Sequence, residues 1–252
     1  MVTFGETRLV VLETTSGKLL WQQQLSQTQD AAANQDALRR SMALSPTISD
    51  GIIVCPTGYG AVVAVDMQTR SLRWGKTYLT TRNPNDNNMR VIGGSFRTEE
   101  AFDPLEERWH EPTAIAYQGL VVLTPPDSNS LMCLDILTGL SKWKSEGERR
   151  LSGRYVLGVN KEHVVVAGNS EVYAYRVDTK EGKIAWQLPF PKGQILAGKG
   201  IWQGSSMLIP LSNQQVIKVD AATGKLLETA TVDTPLGNLF AFKEQLLTVS
   251  PT

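Results

Sequence analysis

The sequence predicts an all-β fold built from repeated four-stranded units, on three observations. An eleven-residue pattern recurs five times, ideally with an acid third, Ser or Thr sixth, Gly seventh and Trp eleventh. The acids Glu13, Asp66, Asp135, Asp178 and Asp220 follow one another at 53, 69, 43 and 42 residues, so a period of 42 or 43 is twice lengthened by insertion. Short apolar runs precede these acids in pairs, and helical periodicity is nearly absent. A period of about 40 to 45 residues is that of one blade of a β-propeller.

The copies, in order, are 11–21 (Glu13, Ser16, Gly17, Trp21), 64–74 (Asp66, Thr69, Trp74), 133–143 (Asp135, Thr138, Gly139, Trp143), 176–186 (Asp178, Gly182, Trp186) and 218–228 (Asp220, Thr223, Gly224). Paired runs 51–55 and 61–65, 119–123 and 131–134, 163–167 and 171–175, and 207–209 and 215–219 are rich in Val and Ile and bounded by Gly, Pro and Asn. Their length and composition read as buried or half-buried strands.

The Asp-x-x-Thr-Gly core is hairpin chemistry. Asp and Thr oxygens accept turn amide protons, while Gly takes the left-handed conformation that a Cβ disfavours. Gly17, Gly139, Gly182 and Gly224 are therefore expected at positive φ. Arg70 holds the equivalent place in the second copy, at a cost of roughly 1 kcal/mol, which marks that turn as the most strained or most altered. Trp at a fixed offset past the turn reads as a wedge between blades, burying roughly 150 to 250 Å² with its indole N–H on a carbonyl. Glu228 breaks the series, so its blade is expected to pack most loosely.

Asp66, Thr69 and Trp74, and Asp135, Thr138, Gly139 and Trp143, resemble the tryptophan-docking repeat of pyrroloquinoline-quinone-like β-propellers, and the resemblance extends over nearly the whole chain. It implies a bacterial propeller, mostly of exported proteins. It does not imply one activity, because the repeat occurs in quinoprotein dehydrogenases and in propellers that bind no quinone, including the lipoprotein subunit of the outer-membrane protein assembly machine.

Residues 1–252 read as a single propeller domain of about five blades. Four are internal; runs 238–242 and 245–249 are expected to join runs 8–12 and 18–21 in one shared blade, pairing 246–249 with 8–12 and removing exposed edges. The rival expectation is a piece of a larger propeller, cut mid-blade at both ends.

Lys and Arg number 25 against 25 Asp and Glu. That balance gives no electrostatic footprint for nucleic acid or an acidic membrane. No apolar stretch reaches the roughly 18 residues of a membrane span, and the first 21 residues lack the pattern of a secretory signal. The compartment is left open by the residues, and the resemblance favours an extracytoplasmic one. A monomeric domain is expected. Cys55 and Cys133 fall on equivalent inner strands of different blades, which reads as two buried free thiols; the vicinal cysteine pair of many quinoprotein dehydrogenases is missing.

In a propeller, the connections between blades and the middle hairpin of each blade emerge on one face. Both long insertions, 22–45 and 75–111, are such connections, and the middle hairpins carry Pro56, Pro125, Gly168 and Pro210. One face is thus elaborated and the other plain, and loops on a rigid scaffold are where binding residues usually lie. The first insertion suggests a short helix capped near Asp30, covering blade packing. In the second, 83–88 reads as a solvated turn, since the alternating carboxylates and distal Glu of a calcium loop are absent.

Arg90, Arg97, Trp109, His110 and Glu111 are the candidate interaction surface. His110 beside Glu111 has the composition of a tuned acid/base pair, but neighbours in an extended strand point to opposite faces. That favours a structural His110, with Trp109 as packing. His163 reads as a hairpin residue. No nucleophile elbow, phosphate loop, dinucleotide fingerprint or zinc signature is present. No catalytic, cofactor-binding or metal-ligating residue is assigned. The expectation is a non-catalytic platform for a protein partner, without cofactor. The alternatives are a fragment of a quinone-dependent dehydrogenase, which would need pyrroloquinoline quinone and calcium, and a sensor holding a small ligand at the shaft mouth.

Overall fold

The computed structural model describes residues 2–5, 8–25, 45–57, 61–78, 91–92, 95–96, 109–125, 130–145, 153–179 and 182–250. Among them there is no helix. Strands β1 (Val2–Gly5), β2 (Arg8–Leu12) and β3 (Leu19–Gln24) form a three-stranded sheet. Blade I follows as β4 (Thr47–Ser49), β5 (Ile52–Pro56), β6 (Ala61–Asp66) and β7 (Leu72–Thr77), and a small hairpin, β8 (Val91–Ile92) and β9 (Ser95–Phe96), lies within the second insertion. Blade II comprises β10 (Ala114–Tyr117), β11 (Leu120–Leu123), β12 (Leu131–Asp135) and β13 (Ser141–Ser145). Blade III comprises β14 (Gly153–Val159), β15 (His163–Gly168), β16 (Glu171–Arg176) and β17 (Ile184–Pro189). Blade IV comprises β18 (Ile201–Gln203), β19 (Ser206–Leu211), β20 (Gln215–Asp220) and β21 (Leu226–Thr231), and the hairpin of β22 (Asn238–Phe242) and β23 (Gln245–Val249) ends the described chain. Within every blade the strands are antiparallel and in chain order.

The middle strands of each blade are buried on both faces, which is why they read as unbroken apolar runs. Successive residues serve opposite neighbours. Val121, Leu123, Met132 and Leu134 of blade II pack on blade I, whereas Val122, Leu131 and Cys133 pack on blade III. In blade III, Val164, Val166, Tyr173 and Tyr175 face blade II, and Val165, Ala167, Val172 and Ala174 face Met207, Ile209, Ile217 and Val219 of blade IV. A strand's two-residue period is thus turned into a radial stack of sheets.

The repeat occupies the turn between third and fourth strands. The Asp66 carboxylate accepts the Gln68 and Thr69 amides, both at 2.9 Å. Asp135 accepts the Thr138 amide and hydroxyl at 3.0 and 2.8 Å, and Asp220 accepts those of Thr223 at 2.8 and 2.6 Å. Gly17, Gly139, Gly182 and Gly224 have φ of 69°, 69°, 58° and 70°, and Arg70 is held at 57°. The ladder slips by one residue at the same place in all five copies, for example between Ala64 and Val65 and between Cys133 and Leu134.

The tryptophans dock forward onto the next blade. Trp74 Nε1 donates to Ile136 O at 2.8 Å, and Trp143 Nε1 to Val177 O at 3.2 Å. Trp186 stacks on Gly224 in the same way, but its buried Nε1 has no hydrogen-bond partner. All six residues of β21, Glu228 included, are exposed.

Two expectations are corrected. The turn of blade III is two residues longer than the count implied, because Trp186 pairs with Ala174 and Arg176 N donates to Lys183 O, the bond made elsewhere by Asp66, Asp135 and Asp220. Asp178 therefore does not hold the acid position; its carboxylate pairs instead with the Arg176 guanidinium at 3.0 and 2.8 Å. The second correction concerns the shared blade. β1 takes the edge of β2, with Val2 opposite Val11 and Gly5 opposite Arg8, so β23 does not pair there. Three strands from one end and two from the other are one too many for a four-stranded blade, and the four residues of β1 carry too little apolar pattern in the sequence to mark a strand. The arc of sheets is left open. Phe240, Phe242, Leu247 and Val249 lie exposed on one face of the C-terminal hairpin.

The short helix expected near Asp30 and the turn 83–88 lie outside the described residues.

Candidate functional site

The inserted face gathers the connections between blades and the hairpins joining β5 to β6, β11 to β12, β15 to β16 and β19 to β20. At its centre, the residues just before or within the first strand of blades II, III and IV converge. The connection into β10 supplies Trp109, His110 and Glu111, β14 supplies Arg154 and Tyr155, and the connection into β18 supplies Lys199.

Trp109 anchors the connection from below. It is 2% exposed, donates from Nε1 to Ser130 O at 3.1 Å, and covers Gly153 so closely that a Cβ there would stand 2.4 Å from the indole. It is therefore a support beneath the surface and not part of a contact face, correcting its place among the surface candidates.

His110 and Glu111 go separate ways. The His110 amide donates to Arg154 O at 3.0 Å, and its ring meets Tyr155 edge-on, with centroids 5.4 Å apart and Nδ1 3.4 Å from the hydroxyl. Burial, and after it the charge of Arg154, holds the imidazole below its ordinary pKa. Burial first and Glu111 second push the Tyr155 phenol up, with Arg154 opposing. Glu111 instead reaches past blade III to Lys199, whose Nζ is 2.6 Å from Oε2. The Lys199 amide donates to Asn238 Oδ1 at 2.8 Å, so the network continues into the C-terminal hairpin. A cavity of about 60 Å³ lies between His110, Arg154, Tyr155, Asn169 and Leu196.

Sequence reasoning found His110 and Glu111 but missed Arg154, Tyr155 and Lys199. Their only signal was position, since each lies at the start of a blade, where the propeller brings chain-distant residues around one axis. Arg90 and Arg97 lie outside the described residues. His163 sits in β15, 8% exposed, with its ring edge-on to Trp186 at 6.5 Å, which is a packing role. Cys55 lies on β5, the second strand of blade I, and Cys133 on β12, the third strand of blade II, which corrects the expectation of equivalent strands; both are free and buried, and burial pushes both thiols up to about 12.

The arrangement offers hydrogen bonding and a fixed ion pair. Among the described residues no three His, Cys, Asp or Glu side chains gather as a metal-holding group. No described helix is long and apolar enough to cross a membrane.

The profile described as outer membrane protein assembly factor BamB matches residues 1–99 and 100–240. Among solved structures, BamB from Moraxella catarrhalis is similar with a TM-score of 0.59 at 14% identity, over 98% of this chain and 65% of that one. Quinohemoprotein alcohol dehydrogenase ADHIIG from Pseudomonas putida HK5 is similar with a TM-score of 0.55 at 15% identity, over 92% and 40%. The enzyme from Comamonas testosteroni gives 0.51 at 14%, over 84% and 40%. The chain thus spans less than two thirds of the length of these proteins, and at such identities they show the fold alone. No curated protein matches the sequence. With a profile match along most of its length, a tryptophan-docked turn in successive blades and propellers as its structural neighbours, the chain belongs to the BamB family of pyrroloquinoline-quinone-like β-propellers.

Proposed function

We propose that this chain is a non-catalytic module that holds a protein partner on its inserted face, in an extracytoplasmic compartment. The observation that carries the reading is the network at the shaft mouth. Glu111 and Lys199 join the entries to blades II and IV, with His110, Arg154 and Tyr155 beside them, so polar groups from the entries to three blades are held together at one face. Such scaffold-held loops are a usual seat of recognition. The family's description as an assembly factor supports the same reading.

The test uses the chain as bait in a bacterial envelope extract, beside a version with 82–108 replaced by a short linker and the double variant Glu111→Ala, Lys199→Ala. One envelope protein retained by the intact chain and lost from both variants is the expected result. Equal retention by all three would count against the inserted face.

The likeness to quinohemoprotein alcohol dehydrogenases favours a second reading, a dehydrogenase fragment. Thermal stabilisation by pyrroloquinoline quinone with calcium, together with dye-linked alcohol oxidation, would establish it in place of the first. A sensor reading for the shaft mouth predicts instead stabilisation by a small ligand without turnover.

A further inference from the structure

The plain face carries a second feature, at the seam of blades III and IV. There a cavity of about 460 Å³ is bordered by Ile115, Val159, Asn160, Trp202, Ser205 and Ala222. That volume lies within the range of roughly 300 to 1,000 Å³ typical of small-molecule sites.

Blade IV departs from its own repeat at the residues that make this space. The amides of Met67, Ile136, Val177 and Ala221 each donate at 2.9 Å to a carbonyl of the preceding hairpin turn, which fixes them as equivalent positions. Three are bulky and the fourth is Ala221; the residue after it is Gln68, Leu137 or Asp178 elsewhere and Ala222 here. In the first strand the change runs the other way. Trp202 pairs with Met207 where Ile48 pairs with Ile53 and Ala116 with Val121. Small residues open the space and an indole walls it.

That wall is rigid. A Cβ on Gly158 would stand 2.5 Å from Trp202 Cε3, so the ring lies flat on the neighbouring strand, and Trp202 Nε1 donates to Gly204 O at 2.8 Å. The remaining lining is Gly, Ala, Ile and Val with two neutral polar groups, and no bordering residue is ionisable. The Asn160 side-chain oxygen accepts the Glu162 and His163 amides at 2.8 and 2.7 Å, so the polar groups the border can still offer a ligand are the Asn160 amide nitrogen and the Ser205 hydroxyl. Burying a charge here without a partner would be costly, whereas a flat ring on the indole gains stacking and apolar burial.

We propose that this cavity binds a neutral, planar aromatic small molecule stacked on Trp202. The site lies on the face opposite the shaft-mouth network and does not depend on the platform reading.

The test titrates ¹⁵N-labelled protein with indole and follows the tryptophan Nε1–H resonances, with Trp202 assigned through Trp202→Phe. The Trp202 signal is expected to shift saturably, with a dissociation constant below 1 mM by choice of a specific-binding threshold, while those of Trp74 and Trp143 stay in place. Ala222→Leu, which installs the residue blade II carries as Leu137, is expected to weaken binding at least tenfold. Ala222 is exposed, so the variant should melt with the parent. A Trp202 signal that does not shift, a shift that never saturates, or equal binding by Ala222→Leu would overturn the proposal. Response to a blocked Trp-containing peptide but not to indole would also overturn it, in favour of a polypeptide occupant.

Discussion

A Cβ on Gly139 would stand 2.6 Å from Cδ2 of Trp74, the indole that reaches forward from the preceding blade. The turn glycine is thus required twice, by its positive φ and by the ring that lies on it. Gly182 under Trp143 and Gly224 under Trp186 repeat the arrangement at 2.8 and 2.4 Å. Arg70 breaks it, and the tryptophan of the preceding sheet, Trp21, is only partly buried.

Gly139→Ala should combine both penalties, about 1 kcal/mol for the left-handed backbone and about 1 to 3 kcal/mol for overpacking against the ring. Gly17→Ala has the same φ with open space around it, so it should cost only the first. Urea denaturation of the two variants measures the difference, and equal losses would mean that the indole contact is not tight.

Arg70→Gly should stabilise. Relief of the left-handed strain exceeds the added freedom of the unfolded chain by a few tenths to about 1 kcal/mol. The transition midpoint in urea should rise with an unchanged slope.

Trp143→Phe should destabilise more than Trp186→Phe. The first removes the donor to Val177 O, whereas the second removes an indole whose nitrogen has no partner. A difference of about 1 kcal/mol in unfolding free energy is expected, the net worth of one such bond.

Asp66, Asp135 and Asp220 are held below the ordinary carboxylate value of 3.8, Asp66 chiefly by the Thr69 amide and the other two chiefly by the hydroxyls of Thr138 and Thr223. A carboxyl whose folded pKa is depressed stabilises fully above its unfolded pKa and ceases to do so as pH falls through the folded one. Stability should therefore decline below about pH 5 and continue to fall beneath 3.8. Replacing all three by Asn should flatten that decline, as read from melting temperature against pH.

Cys55 and Cys133, with thiols near 12, should resist a thiol reagent at pH 8 in the folded protein and react on unfolding. Labelling at the native rate of an exposed thiol would place them outside the inner strands.

Much of this fold was legible because one physical device, acid, turn glycine and indole, recurs at blade spacing. The four complete blades and the glycine conformations followed from it. The blade III turn misled because Asp178 preserves the eleven-residue count while Arg176 takes the structural position. Closure misled because 2–5 carries too little pattern to announce a strand. The shaft-mouth group was half legible: Trp109, His110 and Glu111 are adjacent in sequence, but Arg154, Tyr155 and Lys199 join them only through rotation about the axis. The cavity beside Trp202 needed blades aligned by their hydrogen bonds before Ala221 and Ala222 stood out as departures.

The central claim, that the repeats mark sheets docked radially by tryptophan, is tested most directly by nuclear Overhauser contacts in solution. The account predicts cross-peaks from the Trp74 ring to the Gly139 α-protons, from Trp143 to Gly182 and from Trp186 to Gly224, with the glycine protons displaced by ring current. If none of the three contacts is seen, and the indole protons instead meet residues of their own sheet, the tryptophans do not bridge blades and the radial arrangement is wrong.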